Sequence, residues 1–151
     1  MREKLIPFEN QGFECIECGE CCRERWVPLT LRDIKRLSGK RDISEFTMIF
    51  GKMLVLERRI WDNGCVFLKG NLCSVHKIKP IICRLYPIVM SKKPLLKENI
   101  SYFKDEEEIF LYIDTSCEGV SRGKRLSLEK ILRECQRLKD DMEKTREVLR
   151  I

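Results

Sequence analysis

Apolar positions recur at helical spacing most clearly near the C-terminus. Leu128, Ile131, Leu132, Cys135, Leu138, Met142 and Leu149 share one stripe, Ser127 stands before it as a cap, and a helix over 127–149 is predicted. Being amphipathic, it must pack on the domain or on a partner. A shorter version follows Thr30-Leu31-Arg32-Asp33, where a hydroxyl cap and an acid three positions later precede Ile34 and Leu37, predicting a helix over about 31–38. A second short helix is predicted from Ser44 to Phe50, stopped by Gly51.

The pattern then turns to β-branched and aromatic residues. Met53 to Trp61 reads as a strand with Asn63-Gly64 as a turn, and Cys65-Val66-Phe67-Leu68 and Leu72-Cys73 flank a second turn at Lys69-Gly70-Asn71. That hairpin would bring Cys65 and Cys73 together. Pro80 suits the first position of a helix over Ile81 to Leu85, ended by Tyr86-Pro87. Ile88 to Met90 and Ile109 to Ile113 read as strands, with Asp105 to Glu108 as a solvated acidic run between them. The expected fold is α+β: a small domain of short helices and hairpins organised around metal and closed by the long helix. The expected organisation is an extension over 1–12, a cysteine-cluster domain over 13–120 and the helix segment over 121–151.

Composition sharpens this picture at one residue type. The 151 residues include nine cysteines against one histidine. A chain of this length buries an ordinary core without staples, so the thiols are not there merely to compensate for size. No secretory signal pattern opens the sequence and no run approaches a membrane span, so a cytoplasmic protein is expected. In a reducing compartment, thiols at short spacing bind metal or do redox chemistry more often than they form disulfides. The formal charge of +6 belongs to a metal-free chain, because thiolate ligands would cancel much of it. Nucleic-acid binding therefore cannot be argued from net charge.

The densest signal is Cys15-x2-Cys18-x2-Cys21-Cys22. Thiolates three apart in a tight loop converge on one small centre, a spacing that suits structural zinc and cubane iron–sulfur sites alike. Neighbouring side chains diverge, so Cys21 and Cys22 could serve different centres. Cys65, Cys73, Cys83 and Cys117 bring the candidates to eight. Two four-ligand centres is the simplest partition, and one centre with the remaining thiols structural is the next. His76 is a candidate ligand, or a donor to a sulfur from outside the ligand set. Cys135 falls on the helix stripe and reads as a buried, inert thiol.

Taken together, these residues resemble the CxxCxxCC (YkgJ-type) cysteine-cluster family, a zinc- or iron-chelating domain. The likeness runs over about residues 13–120: Phe13 to Cys22, Val27-Pro28-Leu29-Thr30 with Asp33 and Leu37, Cys65 to Leu68, Cys73-Ser74-Val75-His76, Lys79 to Pro87, and Cys117-Glu118-Gly119. It implies metal binding by Cys15, Cys18, Cys21, Cys22, Cys65, Cys73, Cys83 and Cys117, and it leaves Cys135 out. The family is similar to the cluster-bearing part of flagellin lysine methylases, longer enzymes in which an iron–sulfur centre accompanies protein lysine N-methylation. In the motif around Cys83, Arg84 and Tyr86 are candidate cofactor-side residues, since a guanidinium beside a ligating thiolate can offset its charge. Arg84 on a surface carboxylate and Tyr86 in the core is the equally simple alternative.

Three functions follow as expectations. The first is an iron–sulfur protein, with a 4Fe-4S cluster, acting in electron transfer, cluster handling or cluster-assisted modification of an unidentified protein partner or substrate. The second is a zinc-stabilised binding module. Its basic runs, Lys92-Lys93 and Arg122 to Arg125, are short and lack interleaved aromatics, which argues against nucleic acid. The third is an enzyme related to protein lysine methyltransferases. No glycine-rich S-adenosylmethionine loop is present, and Asp33 and Glu118 are acid–base candidates by position only.

Overall fold

The computed structural model describes residues 4–23 and 25–150. In chain order the elements are β1 (Leu5–Pro7), β2 (Gly12–Phe13), α1 (Leu31–Leu37), α2 (Ile43–Phe46), β3 (Thr47–Phe50), β4 (Met53–Leu56), β5 (Leu68–Lys69), β6 (Leu72–Cys73), α3 (Ile81–Leu85), β7 (Ile88–Ser91), β8 (Ser101–Lys104), β9 (Glu107–Asp114), β10 (Val120–Arg125) and α4 (Leu128–Leu149). The fold is α+β. Two compact units account for it, one formed by the chain up to Ile16 with Leu85–Gln136, the other by Glu17–Arg84 with Arg137–Ile151.

The first unit is built on β9, which pairs antiparallel with β1, β7 and β8. Its β-branched and aromatic run, Ile109 to Ile113, alternates little because Leu111, Tyr112 and Ile113 are all buried. A separate two-stranded ladder joins β2 to β10, with Phe13 opposite Val120.

The second unit holds the cysteines of most interest. Its core contains Val27, Leu29, Ile34, Leu37, Phe46, Leu56, Phe67, Leu68 and Val75, and Cys22 and Cys65 are part of it. Helix α1 begins as expected: the Thr30 hydroxyl accepts from Asp33 N–H at 3.1 Å and Asp33 Oδ2 accepts from Thr30 N–H at 3.1 Å. The helix expected from Ser44 to Phe50 is shorter than that. Only Ile43–Phe46 is helical, and Thr47–Phe50 is a strand paired with Met53–Leu56 across Gly51-Lys52. Thr47, Ile49 and Phe50 favour strand over helix, and Gly51 at φ +61° supplies the turn. The strand expected over Met53 to Trp61 likewise stops at Leu56. Asn63-Gly64 does lie in a reversal of the chain, whose two sides meet at a single antiparallel bridge between Arg58 and Cys65 and do not extend into a strand ladder. The hairpin expected at Lys69-Gly70-Asn71 is present, with Leu68 opposite Cys73.

Helix α4 covers the expected span, and Ser127 Oγ accepts from Lys130 N–H at 3.4 Å. Its buried face is less apolar than the sequence suggests. Asp141 and Thr145 are buried on it, whereas Leu149 is exposed. Thr145 Oγ1 accepts from Leu31 N–H at 3.0 Å and donates to Asp141 C=O at 2.7 Å, so a polar pair on α4 satisfies the open N-terminus of α1.

Candidate metal centre

The cysteine loop of the second unit is shaped by backbone contacts. Gly19 sits at φ +77°, and a Cβ there would lie 2.5 Å from the Asn71 carbonyl oxygen, so the loop packs directly on the turn between β5 and β6. Arg23 Nη2 donates to Asn71 Oδ1 at 2.9 Å, adding a side-chain tie to the same turn. Cys22 N–H donates to Gly19 C=O at 3.0 Å, and Cys65 N–H donates to Cys22 C=O at 2.7 Å. Cysteines 43 positions apart in sequence are thereby brought onto adjoining backbone.

Five thiols meet on this framework. Cys22 and Cys65 lie inside the apolar core, and Cys21, Cys73 and Cys83 pack against it. The Cys22 thiol shares hydrogen bonds with Cys21, Cys65 and Cys73, which holds its proton far above the ordinary range. Its neighbours move the other way. The hydrogen bond from Cys22 takes Cys21 down to about 6, helped by the positive charges of Lys79 and Arg25. The same donor takes Cys73 down to about 7, with the Val75 N–H as a further donor. Cys65 is lowered by Cys22 and by Phe67 N–H, which reaches its sulfur at 3.4 Å. Cys83, part-exposed as a residue, has its thiol pushed up, first by burial and then by the charge of Cys21.

This chemistry suits a soft metal. Thiolates bind zinc and iron–sulfur cores, and backbone N–H groups aimed at sulfur stabilise them in that form. The thiols of Cys21, Cys65 and Cys73 are each lowered from the ordinary value, and Arg25 and Lys79 oppose the negative charge four thiolates would gather. Among the described residues, no three His, Cys, Asp or Glu side chains are yet drawn into a set that could hold a metal ion. Cys21, Cys65 and Cys73 nevertheless all lie within interaction distance of Cys22.

The remaining candidates fall elsewhere. Cys18 is half-buried beside Gly19 in the same unit. Cys15 and Cys117 belong to the first unit, where Glu14 N–H donates to Gly119 C=O at 3.1 Å and aligns their two segments; Cys15 is exposed and Cys117 buried. His76 is exposed at the start of a short 3-10 turn, His76–Ile78, and makes no hydrogen bond to a described residue. Arg84 is exposed on α3. Tyr86 is buried in the first unit, its hydroxyl within 3.2 Å of Asp114 Oδ2 and 3.3 Å of Ser116 Oγ. Cys135 is 1% exposed. None of the nine cysteines is in a disulfide.

Asp33 is fully buried and committed to structure. Besides capping α1, its Oδ1 accepts from Ile81 N–H at 3.1 Å and from Arg36 Nη2 at 2.6 Å. That removes it from the acid–base candidates and makes it the group that sets α3, and with it Cys83, against α1. Glu118 is exposed. Sequence reasoning missed Lys79 and Arg25 as neighbours of the thiols; the signal was their place beside Pro80-x2-Cys83 and after Cys21-Cys22.

A family model described as "CxxCxxCC: Putative zinc- or iron-chelating domain" matches residues 14–118. The chain belongs to the CxxCxxCC family. This CxxCxxCC chain is also 29% identical over 103 residues to one uncharacterised protein of Methanocaldococcus jannaschii, covering 58% of this chain and 53% of that protein. It is 26% identical over 124 residues to a second from the same organism, covering 79% of this chain and 41% of that protein. The aligned part is thus about half the length of these relatives or less. No solved structure matches. No helix among the described residues is long and apolar enough to cross a membrane.

Proposed function

We propose that the second unit of this CxxCxxCC protein holds an iron–sulfur cluster of the 4Fe-4S type and that the cluster serves electron transfer, cluster handling or modification of a protein partner. The observation that carries the reading is the gathering of Cys21, Cys22, Cys65, Cys73 and Cys83 on one apolar core. Cys65 and Cys73 each receive a backbone N–H, and Arg25 and Lys79 lie within electrostatic reach of Cys21. Hydrogen bonds to sulfur, burial and local charge are the levers by which a protein sets a cluster's potential. Cys21, Cys22, Cys65 and Cys73 would be the primary ligands, with Cys83 the alternative fourth.

A zinc site is the second reading. It is favoured by the mutual contact of four thiols around Cys22, since a four-thiolate set is the usual donor shell of a structural tetrahedral zinc. Anaerobic purification followed by absorption spectroscopy, iron and acid-labile sulfide analysis separates the two. A brown protein with iron and sulfide in comparable amounts is expected. A colourless protein with stoichiometric zinc and no labile sulfide overturns the cluster and leaves the thiol site intact as a zinc site.

A further inference from the structure

The loop over 57–64 ends one peptide bond before Cys65, and hydrogen bonds cross it while its tip, residues 60–63, stays exposed. Arg59 N–H donates to Gly64 C=O at 2.7 Å and Asn63 N–H donates to Arg59 C=O at 2.9 Å. The Arg59 guanidinium grips both Asp62 oxygens, at 3.0 and 2.5 Å, and reaches Leu68 C=O at 2.8 Å. Arg58 Nε ties to Asn63 C=O at 3.1 Å. This bonded frame holds Ile60 and Trp61 out in solvent, 99% and 78% exposed. A hydrogen-bonded backbone that presents two adjoining large apolar side chains has met part of the ordering cost of binding, and such adjoining exposed side chains are a common element of interaction sites.

A groove of about 620 Å³ lies beside them, lined in part by Arg41, Glu45, Glu57, Arg58 and Val66. Neither Arg41 nor Arg58 has a carboxylate partner among the described residues. Each guanidinium is instead laid over a ring, Arg41 over Phe67 at 5.5 Å and Arg58 over Trp26 at 5.0 Å. Arg58 Nη2 is buried with no hydrogen-bond partner. The Arg58 charge is thus met by the Trp26 ring and the Asn63 carbonyl and by no carboxylate among the described residues.

We propose that this face, the Ile60–Trp61 loop with the groove edged by Arg41 and Arg58, docks a segment of a partner protein that presents an apolar side chain flanked by carboxylates. The apolar anchor packs on Ile60, Trp61 and Val66, and the carboxylates meet the positive edge that Arg41 and Arg58 give the groove, where neither guanidinium has an acidic side chain in contact. The charge pattern selects a polypeptide over a nucleic acid. Glu45 and Glu57 share the groove, so a phosphodiester strand, charged at every step, meets repulsion that a peptide with locally placed acids avoids. Docked here, the partner lies next to Cys65 and therefore next to the thiol cluster.

The test uses the full, metal-bearing chain and a short synthetic peptide with a central phenylalanine flanked by aspartates. Binding is measured by calorimetry and located by hydrogen-exchange mass spectrometry. Saturable binding is expected, with protection confined to the 57–66 region and residues near Arg41. Replacing the peptide's aspartates by lysines, or its phenylalanine by serine, weakens it by about tenfold or more. Ile60→Ser is the fold-neutral variant, since Ile60 is almost wholly in solvent, and Arg58→Gln tests the acceptor side; each weakens binding by about the same factor. No saturable binding, protection elsewhere, equal binding of the lysine peptide, or tighter binding of an oligo-thymidine strand than of the peptide overturns the proposal. Metal content is measured separately from peptide binding, so failure here leaves the thiol site standing.

Discussion

Asp33 Oδ1 accepts the backbone N–H of Ile81 at 3.1 Å, across 48 positions of sequence, while Oδ2 of the same carboxylate accepts from Thr30 N–H at 3.1 Å. One buried side chain thus satisfies the first turns of α1 and α3. Asp33→Asn keeps the shape but places an amide NH2 where one of these donors must find an acceptor. A loss of about 1–3 kcal/mol is expected, with Asp33→Ala losing more. At about 2–4 °C per kcal/mol for a chain of this size, thermal unfolding resolves it. Because α3 carries Cys83, the mutant should also label faster at Cys83 with a thiol reagent. An unchanged midpoint would show that the carboxylate does not link the helices.

The thiols divide into a gathered set and an isolated one. Cys22→Ser removes the group that contacts Cys21, Cys65 and Cys73, and bound metal should fall to a small fraction of the wild-type amount, with the unfolding midpoint dropping toward that of chelator-treated protein. Cys135→Ala should keep its full metal and lose only about 1 kcal/mol of packing. Metal analysis of the two purified variants checks this. Equal loss in both would erase the distinction between the cluster and the helix thiol.

Glycine positions offer a sharper geometric test. A Cβ at Gly119 would stand 2.1 Å from the Glu14 carbonyl oxygen, and one at Gly19 would stand 2.5 Å from that of Asn71. Both contacts are with backbone, so alanine must force two chain segments apart. Gly51 also has a positive φ, +61°, but meets nothing within 4 Å. Gly51→Ala should therefore cost only the conformational penalty, about 1 kcal/mol. Gly19→Ala and Gly119→Ala should each cost clearly more, on the order of 2–3 kcal/mol. Gly19→Ala alone should also lower metal binding in the second unit, because it displaces the loop that carries Cys18, Cys21 and Cys22. Denaturant midpoints and metal content decide it.

How far the sequence led depends on whether a feature is local. The cap at Thr30, α3 after Pro80, the β5–β6 hairpin and α4 are written within short stretches, and each is where local pattern puts it. Cys135 reads correctly from its stripe for the same reason. The strand Thr47–Phe50 was hidden, although its partner is close in sequence, because a short apolar run fits either period. The layout of strands around β9 is fixed by pairings over distances no local pattern encodes. Spacing identified the thiols but not which meet: Cys21 and Cys22, adjacent and expected to diverge, are hydrogen-bonded, while Cys15, six positions before Cys21, belongs to the other unit. Thr145 and Asp141 escaped notice because polar residues on a helix stripe look like interruptions until α1 is placed against them.

Cys135 makes stability depend on pH in a defined direction. Burial, and then the nearby Glu134 charge, push its thiol up to about 12 from an ordinary 9.0. The unfolded chain therefore ionises Cys135 at a lower pH than the folded chain does. Its contribution to stability is complete below about pH 9 and fades as pH rises from there toward 12. Cys135→Ala lacks this loss, while every other titrating group, bound metal included, is shared with the parent. The parent's advantage over Cys135→Ala in denaturant midpoint should therefore be largest at about pH 8 and shrink by about pH 10.5. Native labelling with iodoacetamide near pH 8 should also modify Cys135 last of the nine, since the thiolate is the reactive form and is suppressed here. Parallel stability profiles for the two proteins, or early modification of Cys135, would mean that the thiol is not held in the apolar surroundings the structure gives it.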